Sequence, residues 1–335
     1  MVIKSRSQRP EWLTRLRPFG EAQRGKAIWQ LVNTLVPYAL LWAGMIATVT
    51  SRMAWTWTAL LVVPTAGFLV RIFIIFHDCC HGSFFASKHA NRFWGYVTGV
   101  LTLTPFEDWR HAHLTHHATA GDLDRRGTGD VVTKTVAEYR ALSPLKRIGY
   151  RLYRNPLVMF GLGPVGIFVF SHRTAPPGAT PDARRSVVVT NVVLVGIAAV
   201  AALVGWLWTY LVLQLAVSWL AGVLGIWLFY VQHQFETVYW ARHDTWDRVR
   251  AALEGSSFYR LPRVLQWFSG NIGFHHIHHL RPSVPNYRLQ ACYEAVPEVR
   301  RGAELSLRSS LRCLGLALWD EERGRLVTFR GVRPA

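Results

Sequence analysis

Four long apolar runs constrain this chain more than any other feature. Residues 31–50, 55–76, 187–205 and 210–231 each approach the roughly twenty residues that a helix needs to cross about 30 Å of hydrocarbon. Their apolar residues stand in blocks instead of at the 3.6-residue spacing of a half-buried surface helix. They predict four transmembrane helices. Only Ser51, Arg52, Met53 and Ala54 part the first pair, and Trp206, Leu207 and Trp208 mark the join of the second, so the spans form two helical hairpins. Residues 1–30, 77–186 and 232–335 then share one side of the membrane.

Charge says which side. The chain carries 38 Lys plus Arg against 20 Asp plus Glu, a formal net charge of +18. Basic residues crowd the segments outside the runs, beginning with Lys4, Arg6, Arg9, Arg15, Arg17, Arg24 and Lys26. No nucleic-acid motif accompanies them, so they read as flanks meeting anionic lipid and place the long segments in the cytoplasm of a multi-pass cell-membrane protein. The four cysteines suit a reducing compartment, since Cys79 and Cys80 are adjacent while Cys292 and Cys313 stand far downstream. The start, MVIKSRSQRPEW, lacks a signal peptide's apolar core, and the first run is expected to remain in the mature protein.

Two shorter stretches, 93–106 and 156–170, predict interfacial or re-entrant segments, the second being interrupted by Gly161, Gly163, Pro164 and Gly166. Residues 174–185 read as a loop into the third span. With no internal repeat, residues 1–335 are expected to form one domain.

Chemistry is concentrated in the histidines. Most of the 14 fall into HDCCH (77–81), HLTHH (113–117) and HHIHH (275–279). His77 and His81 are four residues apart. His113, His116 and His117, like His275, His278 and His279, stand at i, i+3 and i+4, so each set shares a helical face and eight imidazoles can converge. His233 directly follows the fourth run and is a ninth candidate. Imidazole suits iron, copper, zinc or nickel, so ligand type leaves the metal open. Ligand number points to two ions, because eight or more nitrogens exceed one ion's needs.

A lone histidine is more often an ordinary core or interfacial residue, and His89, His111, His172 and His243 are read that way. His276 falls off the ligand face and supports the ligands from behind. Asp78, inside the first cluster, is the favoured partner for a ligand's outer ring nitrogen, ahead of Glu107, Asp108, Asp122, Asp124 and Asp130. Trp109 and Arg110, beside the second cluster, face lipid chains or headgroups, and interfacial anchoring explains them equally well. GLGPVG (161–166) matches a dinucleotide-binding pattern only literally, having no strand before it.

The stretches FHDCCHGSFF (76–85), WRHAHLTHHATAGDLDRRGTGD (109–130), YVQHQFE (230–236) and NIGFHHIHHLRPSVPNYRL (271–289) resemble the membrane fatty acid desaturases, in particular bacterial acyl-lipid desaturases of the delta-5 and omega-6 (delta-12) types. The resemblance implies an all-α integral membrane protein, with four transmembrane helices in two hairpins and a cytoplasmic helical cap over a histidine-rich di-iron site. It implies nine ligands to two Fe ions: His77, His81, His113, His116, His117, His233, His275, His278 and His279. Cys80 stands where the family commonly has glycine, and a further Asn or water ligand known in related enzymes has no assigned position. The implied reaction places a cis double bond in an acyl chain, preferably of a membrane lipid, using O2 and two electrons. No flavin, haem or iron-sulfur motif is built in, so a separate ferredoxin-like donor is expected. The alternatives are a related di-iron hydroxylase or ketolase, and a zinc-binding membrane receptor or transporter.

Overall fold

The computed structural model describes residues 10–332; Lys4, Arg6 and Arg9 lie outside them. Four helices are long and apolar enough to cross a membrane: α1 (Arg24–Thr50), α2 (Trp55–His81) and, later in the chain, Pro181–Leu203 and Leu207–His233. A 27-residue helix rises about 40 Å, more than the hydrocarbon needs, so its ends can carry chemistry. The second run does so. It continues past residue 76 to His81, where Gly82 closes it in the left-handed conformation (φ 68°) and donates its N–H back to Cys79 O at 3.0 Å. The first histidine cluster therefore belongs to the last turn of α2.

The short helices α3 (Lys88–Leu101) and α4 (Phe106–Thr119) follow. Together they account for the apolar stretch 93–106, which is split by a turn at Leu103 (φ 57°). Strand β1 (Lys134–Thr135), helix α5 (Val136–Arg140) and helix α6 (Pro144–Tyr153) come next. Beyond α6, two π-helical turns, Leu157–Leu162 and Val165–Phe170, bend by 60° from its axis, as a broken span or a re-entrant loop. The segment 174–185, read as a loop, ends early. Pro181 takes the first helical position and the Thr180 side chain accepts the Ala183 N–H at 3.2 Å, so α7 (Pro181–Leu203) begins inside it. Helix α8 (Leu207–His233) returns through a bend at Gly205 (φ 76°).

Helices α1, α2 and α8 share a core around Met45, Ile72 and Val217. Their outward faces stay apolar, with Leu40, Trp55, Leu60 and Trp208 exposed. Arg71 is buried within α2 and is satisfied by Thr34 Oγ1 at 3.0 Å, by the Trp267 carbonyl and by the Trp267 ring, 4.0 Å from its guanidinium.

The remainder caps the ends of α2 and α8. It holds α9 (Arg248–Leu253), β2 (Phe258–Arg260), α10 (Arg263–Phe268), α11 (His275–Leu280), α12 (Asn286–Ala295), β3 (Glu304–Ser306), α13 (Leu307–Ser310), β4 (Leu316–Asp320) and β5 (Arg325–Thr328). The all-α expectation needs amending here. Strands β1, β4 and β5 form one sheet, with Trp319 paired to Leu326, and β2 lies parallel to β3 in another. Trp319 and Leu326 pack on Tyr230 near the end of α8, so the sheet braces the turn that carries His233.

Candidate metal centre

Four helices deliver imidazoles to one place. α2 gives His77 and His81, α4 gives His113, His116 and His117, α8 gives His233, and α11 gives His275, His278 and His279. They divide into two groups. In the first, ring nitrogens of His77, His81, His113, His117 and His278 all lie within 4.8 Å of one another. In the second, those of His116, His233 and His279 do the same. His275 joins the second group, its Nε2 2.9 Å from His233 Nε2 and 3.1 Å from His279 Nε2. The division cuts across the sequence clusters: α4 sends His113 and His117 one way and His116 the other.

The distances suit metal ligands. Nitrogens about 2.1 Å from an ion stand roughly 3 Å apart at a right angle and roughly 4.2 Å apart across it. Within the first group, the Nε2–Nε2 separations are 2.9 Å for His81 and His113, 3.1 Å for His113 and His117, and 2.9 Å for His117 and His278.

Tautomers give an independent test. A carboxylate or carbonyl only accepts, so a histidine facing one carries its proton on that nitrogen and turns a lone pair inward. His77 Nδ1 faces Asp78 Oδ1 at 3.1 Å, His116 Nδ1 faces Asp130 Oδ1, and His233 Nδ1 faces Gly255 O at 3.2 Å. The inward Nε2 of His77 is buried without a hydrogen-bond partner, and the inward nitrogens of His116 and His233 face each other at 3.3 Å. Opposed lone pairs in a buried site call for a cation, and the residues fit one.

Burial also keeps five of the clustered rings neutral. It pushes His113, His117, His275, His278 and His279 well below the ordinary histidine range, and neighbouring imidazoles add to the effect. A neutral imidazole is the form that binds metal.

Aromatic side chains wall the groups. Trp109 stacks on His113 with ring centroids 4.3 Å apart, and Phe229 lies 5.3 Å from His116 and 5.0 Å from His233. Arg110 turns away, donating to Cys80 O at 2.9 Å. His276 is in neither group; it is buried against Phe258 and Tyr293, and burial lowers it to about 4. His89, His111 and His243 are exposed, and His172, like them, is in neither group. Of the acidic residues, Asp78 and Asp130 reach a clustered histidine. Glu107 pairs with Arg92 and Arg110, Asp122 with Arg125 and His243, and Asp124 with Arg242. Asp108 receives its backbone contact from α7, its N–H donating to Ser186 Oγ at 3.2 Å. Asn286 and Gln30, which sequence reasoning did not single out, complete the hydrogen bonding behind Asp78.

Fold and site together define a class: helical proteins in which buried imidazoles from several apolar or capping helices form two adjoining groups able to hold metal. Residues 54–310 match the fatty acid desaturase family model. The chain is 45% identical over 316 residues to a fatty acid desaturase of Bacillus subtilis (strain 168), covering 94% of this chain and 89% of that protein. It is 27% identical over 235 residues to an sn-1 acyl-lipid omega-3 desaturase (ferredoxin) of Synechocystis, covering 68% of this chain and 64% of the relative. It is likewise 27% identical over 257 residues to a chloroplastic omega-6 fatty acid desaturase of Arabidopsis thaliana, covering 73% and 53%. The chain belongs to the fatty acid desaturase family, and so to the oxidoreductases that act on fatty acids.

Proposed function

We propose that this protein is an O2-dependent acyl-lipid desaturase that places a cis double bond in the acyl chain of a membrane lipid. The observation that carries the reading is the division of nine convergent imidazoles into groups of five and four, in a chain of this family. In this reading His77, His81, His113, His117 and His278 hold one Fe ion and His116, His233, His275 and His279 hold the other. The chain acts as a single domain. Helices α1, α2, α7 and α8 cross the membrane, and the cap, with residues 1–30, 77–186 and 232–335, faces the cytoplasm.

Bound iron would supply oxygen activation and hydrogen removal from two neighbouring methylenes, in a reaction that consumes O2, two electrons and two protons and yields one alkene and two waters. The chain's own work is positioning. Asp78, Asp130 and the Gly255 carbonyl hold three ligands in the tautomer with a free inward nitrogen. Trp109 and Phe229 keep the centre apolar and dry, where only shape can choose one methylene pair from many. Between the start of α1 and the segment leading into α3, a groove of about 680 Å³ lined by Leu31, Leu35, Phe85, Trp94 and Arg24, and by none of the nine histidines, is apolar enough for an acyl chain. Electrons come from a ferredoxin-like protein, drawn by the basic cap; a relative in Synechocystis carries that donor in its name.

The test is expression in a bacterium with its own electron donor, comparing fatty acid methyl esters with those from a His116→Ala control. A new unsaturated species absent from the control supports the reading and locates the double bond. Hydroxylated products would move it to a related oxygenase, and zinc bound without iron would overturn the oxygen chemistry.

A further inference from the structure

The hydrogen bonding behind His77 does not stop at its carboxylate. Asp78 spends Oδ1 on His77, and its Oδ2 accepts two N–H groups of Asn286, the backbone N–H at 2.6 Å and the side-chain Nδ2 at 2.8 Å. Asn286 is the first residue of α12, so its backbone N–H has no partner within that helix and is free to serve the carboxylate. Its Oδ1 accepts from Gln30 Nε2 at 2.9 Å. Gln30 sits in α1, which carries no histidine. His77, Asp78, Asn286 and Gln30 are 4%, 1%, 1% and 3% exposed, so the whole chain of contacts is dry.

We infer that Asn286 and Gln30 are positioning residues for His77, making α1 a working part of the metal centre. An asparagine amide can present its oxygen or its nitrogen to Asp78, and an oxygen there would face a carboxylate. The Gln30 donor occupies the Asn286 oxygen and leaves Nδ2 for Asp78. Two N–H groups on Oδ2 then fix the carboxylate plane, so that Oδ1 accepts the Nδ1–H of His77 and the Nε2 lone pair points into the five-histidine group. In a site of low dielectric, a network with one member missing is worse than its separate bonds suggest.

The inference rests on the proposed function only for the identity of the metal. Its test uses the full-length protein, purified in detergent and loaded with ⁵⁷Fe, comparing Asn286→Ala, Asn286→Asp and Gln30→Leu with wild type by iron content, Mössbauer spectrum and thermal melting. A five-nitrogen and a four-nitrogen site give different quadrupole signals. Asn286→Ala is expected to weaken iron binding by about 10-fold, the low end for loss of a ligand's outer partner. Only one of the two signals should change. Asn286→Asp, closest in size, should be worse because it sets a second carboxylate against Asp78, and Gln30→Leu should act in the same direction but less.

Equal loss of both signals with a collapsed melting temperature would mean a merely structural role and would overturn the inference. If Asn286→Ala fails to fold, Gln30→Leu decides alone. Wild type with two iron signals and variants that match it would overturn the inference but leave the function standing. Wild type that takes up no iron would overturn both.

Discussion

His116 Nε2 and His233 Nε2 face each other at 3.3 Å, while the outer nitrogens of both rings are tied away, to Asp130 and to the Gly255 carbonyl. Both inward nitrogens carry lone pairs, and these two residues, on α4 and α8, stand 117 positions apart in the chain. The fold has brought two repelling groups together in a buried place. Such an arrangement is stable when a cation lies within reach of both, which ties the stability of the cap to metal.

Removing metal should therefore loosen the protein. Stripping with a chelator in detergent is expected to lower the melting temperature, and adding Fe(II) should restore it. With free metal at 100 times its dissociation constant, the linkage is worth about 2.7 kcal/mol per site. Scanning fluorimetry with and without chelator checks it; equal melting of both forms would mean that the histidine groups are self-sufficient.

Asp130 should matter beyond its distance from any substrate. It holds His116 Nδ1 and also accepts the Gly127 N–H at 3.2 Å, so it orders a loop as well as a ring. Asp130→Ala is expected to lower metal affinity or desaturation by about 10- to 100-fold. The loss should appear as reduced iron content, measured on purified protein, before any change in melting.

Four histidines should be dispensable to the centre. His89→Ala, His111→Ala, His172→Ala and His243→Ala should each keep the wild-type iron content and product yield. His243 is exposed and pairs with the buried Asp122 at 2.8 Å, but that carboxylate keeps the Arg125 side chain and the Asp124 N–H as partners, so removing His243 does not leave it unpaired. Metal analysis of the four variants beside His278→Ala would separate clustered from scattered histidines; a loss of iron in His243→Ala would contradict the grouping.

Much of this arrangement was legible in the sequence because it rests on local periodicity. Apolar runs of twenty residues mark long helices, and i, i+3, i+4 histidines mark a shared face. What periodicity cannot say is where a face points. His113, His116 and His117 share one, yet the way α4 crosses the ends of α2 and α8 sends His116 to a different group from its neighbours. Asn286 and Gln30 were passed over for a similar reason. A single amide at a helix start, or just ahead of an apolar run, acquires meaning only from a partner 256 residues away. The strands β4 and β5 are five and four residues long, too short to stand out from the helical cap around them.

Gly95 lies in α3 where the Phe106 ring of α4 crosses it, and a Cβ there would stand 2.1 Å from that ring. Alanine inside a helix ordinarily gains about 0.5–1 kcal/mol over glycine. Here the gain is outweighed. Phe106 is 3% exposed and packs edge-on against Phe76, the residue before His77, so it has no open space to move into. Forcing it aside costs about 1–3 kcal/mol and presses on both the first turn of α4 and the histidine-bearing end of α2. Gly95→Ala should therefore melt earlier than wild type, with reduced iron. Trimming the obstructing ring in Gly95→Ala/Phe106→Leu should recover part of the loss, as expected when two positions share one space. Equal melting of Gly95→Ala and wild type would show that Phe106 can yield, and that α3 and α4 are less tightly coupled than their contact distance implies.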